Sequence, residues 1–136
     1  LGDVYKRQNV GSARAEEGVL RLLIKDAAVF PDTPPLTEEQ FSSPLLGRAF
    51  TLLWQQREAG RDPSIPLLSE SFSQEEISHL IAVTQQPESL SNARQALADY
   101  IRIIREEHTK RTGGTDPLAA AMETYKDKKG YGGKRT

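Results

Sequence analysis

Apolar residues recur at three- and four-residue spacing along most of the chain, and strict alternation never persists for the length of a strand. The pattern predicts an all-α protein: a small helical bundle followed by a short C-terminal helix and a disordered basic tail. A first helix is expected after Ser12, whose hydroxyl can cap a free backbone N–H. Glu16 and Glu17 fall early in it and Lys25 late, as the helix dipole favours, and its apolar face is Val19, Leu20, Leu23, Ile24 and Ala27. Pro31, Pro34 and Pro35, with Asp32, break it. Thr37-Glu38-Glu39-Gln40 reads as a capping box for a short turn, and Ser43-Pro44 as a cap with proline at the first helical position. The helix that follows should span residues 44–59, turn Leu45, Leu46, Ala49, Phe50, Leu53 and Trp54 inward, and stop at Gly60. Arg61-Asp62-Pro63-Ser64-Ile65-Pro66 is expected to be loop.

The clearest local signal is Phe72-Ser73-Gln74-Glu75-Glu76-Ile77. Ser73 and Glu76 can cap reciprocally, and Phe72 and Ile77 hold the two positions of a hydrophobic staple. The helix it starts buries Ile77, Leu80 and Ile81 and ends before Pro87. A longer helix is expected over 90–111, with Leu90, Ala93, Leu97, Tyr100, Ile101, Ile104 and His108 on one face and Arg102 and Glu106 paired on the other. Gly113-Gly114-Thr115 then offers both a cap and a joint. Beyond it Asp116-Pro117 begins a last helix, with Leu118, Ala121, Met122 and Tyr125 on one face, and 131–136 are expected to be disordered. The organisation expected is a disordered or non-native segment over 1–12, a helical bundle over 13–112, and joint, terminal helix and tail over 113–136. No repeat of solenoid period is present.

Composition narrows the function classes. A chain of 136 residues suits one compact domain, and with few aromatic residues its core must be chiefly leucine, isoleucine, valine and alanine. A formal net charge of -1 supplies no global field for nucleic acid, so any such contact would be local. The absence of cysteine excludes disulfides, thiolate catalysis and cysteine-ligated zinc, and is compatible with the cytoplasm. The longest apolar runs are far too short to cross a bilayer, so no membrane association is expected. Residues 1–8 read as non-native translated sequence, and the natural protein is expected to continue upstream.

The residues that could carry chemistry do not assemble into a reaction centre on paper. His79 and His108 fall on different helices with no acidic residue at zincin spacing, and Glu75-Glu76 and Glu106-Glu107 read as capping and solvated charges. No catalytic residue, metal site or cofactor site is expected. Gly130-Tyr131-Gly132-Gly133-Lys134-Arg135-Thr136 lacks the preceding strand and glycine spacing of a phosphate loop. Lys126, Lys128, Lys129, Lys134 and Arg135, interleaved with Tyr125 and Tyr131, could touch phosphates and stack on a base, or could simply solubilise the tail. The stripe Leu118, Ala121, Met122, Tyr125 has little core of its own behind the glycine joint, so it docks either back on the bundle or in a partner's groove.

Three segments carry a resemblance: Ala15-Glu16-Glu17-Gly18-Val19-Leu20-Arg21-Leu22-Leu23-Ile24, Phe50-Thr51-Leu52-Leu53-Trp54, and Ala96-Leu97-Ala98-Asp99-Tyr100-Ile101-Arg102-Ile103-Ile104-Arg105-Glu106-Glu107. In order and spacing, from about residue 13 to 133, the chain resembles the helicase-binding C-terminal domain of bacterial DnaG-type primases. The ending Tyr125-Lys126-Asp127-Lys128-Lys129-Gly130-Tyr131-Gly132-Gly133 is similar to that of clostridial-type members. The resemblance implies a non-catalytic cytoplasmic module that docks a primase on the N-terminal domains of the hexameric replicative helicase and modulates priming, the polymerising activity belonging to the parent protein. It places partner contacts on Leu118, Met122, Tyr125, Lys126, Lys128 and Lys129. The chain departs from the family pattern at its end, where one short helix stands for a long hairpin. The helicase's own N-terminal domain is a related bundle, and a module holding single-stranded nucleic acid weakly through the basic tail is the other reading of these residues.

Overall fold

The computed structural model describes residues 10–113, which contain four α-helices and no strand. We label them α1 (Val10–Lys25), α2 (Pro44–Glu58), α3 (Gln74–Gln85) and α4 (Ala93–Arg111), with 3-10 turns at Ala27–Val29, Glu38–Gln40 and Pro66–Leu68. The chain divides into two compact units, 1–105 and 106–136. The all-α expectation is thus met, and the division into units falls inside α4. Ile104 is the last buried residue of that helix, so the core ends there although the helix continues.

Local chemistry explains where the elements begin. Ser43 Oγ accepts from the Leu46 N–H at 3.1 Å ahead of Pro44, and Ser73 and Glu76 exchange hydrogen bonds of 2.8 and 3.1 Å at the head of α3. Gly60 ends α2 with φ of +82°, a conformation that costs other residues, and the Arg61 N–H returns to the Gln56 carbonyl at 2.9 Å.

The core of the first unit joins Val19, Leu20, Leu22 and Leu23 of α1 to Leu46, Ala49, Phe50, Leu53 and Trp54 of α2, Leu80 of α3, and Leu97 and Ile104 of α4. Phe30, Phe41, Phe50 and Trp54 form a chain of rings with centroids 5.4–5.8 Å apart, a spacing that favours tilted and edge-on pairs. Ile65 and Leu68, within and after the expected loop, are buried as well, because the turn at Pro66–Leu68 folds them onto the helices.

Three boundaries differ from expectation. α1 already includes Val10, so residues 10–12 belong to the bundle, and Ser12 is buried within the helix rather than capping it. Ala27 lies beyond the end of α1, in the first 3-10 turn. α4 starts at Ala93, where the Asn92 carbonyl accepts the Ala96 N–H, and Leu90 is 44% exposed instead of lying in the core. In the second unit, Lys110 Nζ pairs with Glu107 at 3.2 Å and the Thr112 hydroxyl donates to the His108 carbonyl at 3.0 Å.

Candidate functional site

The residues expected to meet a partner, Leu118, Met122, Tyr125, Lys126, Lys128 and Lys129, lie outside the described residues, as does the basic tail. Within the first unit the polar chemistry gathers instead at two places on α1.

The first is closed to solvent. Glu16 is fully buried, and its carboxylate accepts from Ser12 Oγ at 2.6 Å, Ser42 Oγ at 2.6 Å, and the backbone N–H groups of Ser42 at 3.0 Å and Ser43 at 3.2 Å. A charge in the core is tolerated only when its lone pairs are satisfied in this way. The arrangement ties α1 to the residues that start α2. The sequence reads Glu16 only as an acid that the helix dipole favours; in the fold it lies between Ala15 and Val19, both buried, and is drawn inside with them.

The second opens to solvent. A cleft of about 760 Å³ runs between α1 and α3, lined by Arg14, Glu17 and Arg21 on one side and His79, Val83 and Gln86 on the other, with Glu88 and Tyr100 also in its wall. Arg21 Nε donates to Glu88 Oε1 at 3.0 Å, and its Nη1 donates to the Val83 carbonyl at 3.0 Å. Tyr100 donates its hydroxyl to the other oxygen, Glu88 Oε2, at 2.7 Å. The side chains of Arg21 and Glu88 are only 10% and 8% exposed, so this ion pair is a buried one. Lys25 Nζ adds a bond to the Gln86 carbonyl at 2.9 Å.

Tyr100 reaches Glu88 by passing over Gly18. A Cβ built at residue 18 would lie 2.4 Å from Tyr100 Cε2, so only glycine admits the ring at this distance. Each oxygen of Glu88 thus accepts a hydrogen bond, and the carboxylate braces α1 against α4. Among the described residues no group of three histidine, cysteine, aspartate or glutamate side chains could hold a metal ion. His79 lines the cleft, whereas His108 falls in the other unit.

Burial raises the Tyr100 phenol above its ordinary pKa of 10.0, and the hydrogen bond to Glu88 and that carboxylate's charge push the same way. The folded state therefore holds this proton more tightly than the unfolded chain. The resulting stability is fully present below the ordinary tyrosine value and is lost as pH rises through the raised one. Urea melts above about pH 10 should show the wild type losing stability with pH more steeply than Tyr100→Phe. Parallel slopes would place the phenol's titration outside the folding equilibrium.

Sequence reasoning passed over Arg21 and Glu88. Arg21 did leave a signal, a cation set inside the apolar run 19–24, where a buried partner is required. Glu88 left none, because it sits in a connection with no periodicity to place it.

No protein-family model matches the chain, and no curated protein or solved structure is found to be similar to it.

Proposed function

We propose that this chain is the helicase-interaction domain of a bacterial replicative primase, a docking module that holds the primase on the N-terminal domains of the hexameric helicase and modulates priming. The observation that carries the reading is the resemblance of three segments, in their order and spacing, to DnaG-type primases, and the fold packs those segments together. Leu20 and Leu23 from the first, Phe50, Leu53 and Trp54 from the second, and Leu97 and Ile104 from the third belong to one core. Gly18 of the first segment is also the residue over which Tyr100 of the third passes. In this reading the primase's polymerising chemistry lies elsewhere in the parent protein, and Leu118, Met122 and Tyr125 anchor on the helicase while Lys126, Lys128 and Lys129 contribute charge at the rim.

The test is binding of the full chain to the hexameric helicase of a bacterium with a clostridial-type primase, followed by calorimetry or fluorescence anisotropy. Replacing Leu118, Met122 and Tyr125 together by alanine should weaken binding about a hundredfold, roughly 2.7 kcal/mol, as expected for anchors at the centre of a contact. Wild-type chain that fails to bind the hexamer would overturn the proposal. Binding that survives the triple substitution would keep the partner and move the contact to another surface.

A further inference from the structure

The cleft between α1 and α3, of about 760 Å³, falls within the range of about 300–1,000 Å³ common for small-molecule sites, and all of its lining belongs to the first unit. It is open at its mouth, where Arg14, Ala82, Gln86, Pro87 and Ser89 are exposed. Deeper in, the Arg21 guanidinium is fixed on two sides, by Nε on Glu88 and by Nη1 on the Val83 carbonyl. Its third nitrogen, Nη2, has no acceptor among the described residues, although the side chain is only 10% exposed. Donors held this deep are nearly always satisfied, so an immobilised nitrogen with both N–H groups unspent calls for an acceptor. The carboxylates in the wall do not provide it. Each oxygen of Glu88 already accepts a hydrogen bond, and Glu17 comes no nearer to Arg21 than 3.9 Å, beyond hydrogen-bonding distance. Arg14 lies two turns ahead of Arg21 on the same face of α1 and forms no ion pair with a described residue. His79 stands in the opposite wall.

We propose that this cleft binds a small molecule by a single carboxylate, which Arg21 Nη2 and the side chain of Arg14 take between them. A guanidinium held in place recognises a carboxylate by matched hydrogen bonds, and Ala82, Val83 and Pro87 give a short aliphatic portion of the ligand an apolar wall. The charges of the lining select the ligand further. Glu17 lies between the two arginines on α1, so a multiply charged anion such as phosphate meets a like charge where a monocarboxylate meets less of it. An amine finds only Glu17 short of a hydrogen bond, flanked on both sides by cations. Glu17, His79 and Glu88 do not form a metal-holding group. The site lies wholly in the first unit, apart from the proposed helicase anchors, so its fate is independent of theirs.

The probe is butyrate, with inorganic phosphate and butylamine as controls at matched ionic strength, and the readout is the NMR shift of backbone amides over 14–21 and 79–88 in the full chain. Butyrate should shift these signals saturably, and the two controls should bind at least about fivefold more weakly. Arg14→Gln should weaken butyrate by about fivefold or more, because it removes one of the two cations. Glu17→Gln should tighten it by about twofold or more, because it removes the like charge, a gain that a purely structural role for Glu17 would not give. Arg14 is exposed and Glu17 half-buried at the cleft, so both variants are expected to fold, which circular dichroism checks. Arg21 is left intact because it holds Glu88. The proposal is overturned if butyrate gives no saturable shift, if phosphate or butylamine binds as tightly, if Arg14→Gln binds as the wild type does, or if Glu17→Gln fails to bind more tightly.

Discussion

Glu16→Ala is expected to destabilise the first unit by about 3–5 kcal/mol, a large share of the roughly 5–15 kcal/mol that holds a domain together. The substitution removes an acceptor that lies wholly inside the protein and strands the donors around it. The hydroxyls of Ser12 and Ser42 can rotate to look for other acceptors, but the backbone N–H groups of Ser42 and Ser43 cannot. Each stranded donor costs about 1–3 kcal/mol. Glu16→Gln keeps one acceptor oxygen but turns an NH2 group toward donors, so a smaller loss of about 1–3 kcal/mol is expected. Urea denaturation followed by circular dichroism measures both. An alanine variant within about 1 kcal/mol of wild type would mean that water replaces the carboxylate at little cost.

Removing the other buried charge should have a comparable effect. Arg21→Ala leaves Glu88, 8% exposed, with the Tyr100 hydroxyl as its one remaining hydrogen-bond donor among the described residues, and takes a donor from the Val83 carbonyl. Breaking a buried pair from one side typically costs about 3–5 kcal/mol, because the surviving charge stays desolvated. The double variant Arg21→Ala, Glu88→Ala should recover part of that loss, since no orphan charge remains. The same melts decide the matter: additive single effects would show that the two side chains do not depend on each other.

The helices were legible because their signals are local. Caps at Ser43 and Ser73 and the stop at Gly60 act within one turn, so the residues that set them lie side by side in the sequence. The polar sites were not legible for the opposite reason. Glu16 meets Ser42 across 26 residues and Arg21 meets Glu88 across 67, and periodicity carries no record of which buried charge finds which partner. The burial of Ser12 and Glu16 also shows how a residue type that favours caps can be recruited into a helix interior once a carboxylate four positions on takes its hydroxyl. Leu90 errs the other way: it fits the helical spacing of α4 but precedes its start, so its apolar side chain is left 44% exposed.

The passage of Tyr100 over Gly18 also limits how this protein can diverge. A side chain at residue 18 can be accepted only if the ring at residue 100 becomes smaller or withdraws. Withdrawal takes the hydroxyl from Glu88, and a Glu88 short of a donor leans harder on Arg21. Positions 18, 21, 88 and 100, scattered across three stretches of the chain, are therefore free to drift as a set and constrained when they drift singly. Their joint history in descendants of this domain should be that of one inherited unit.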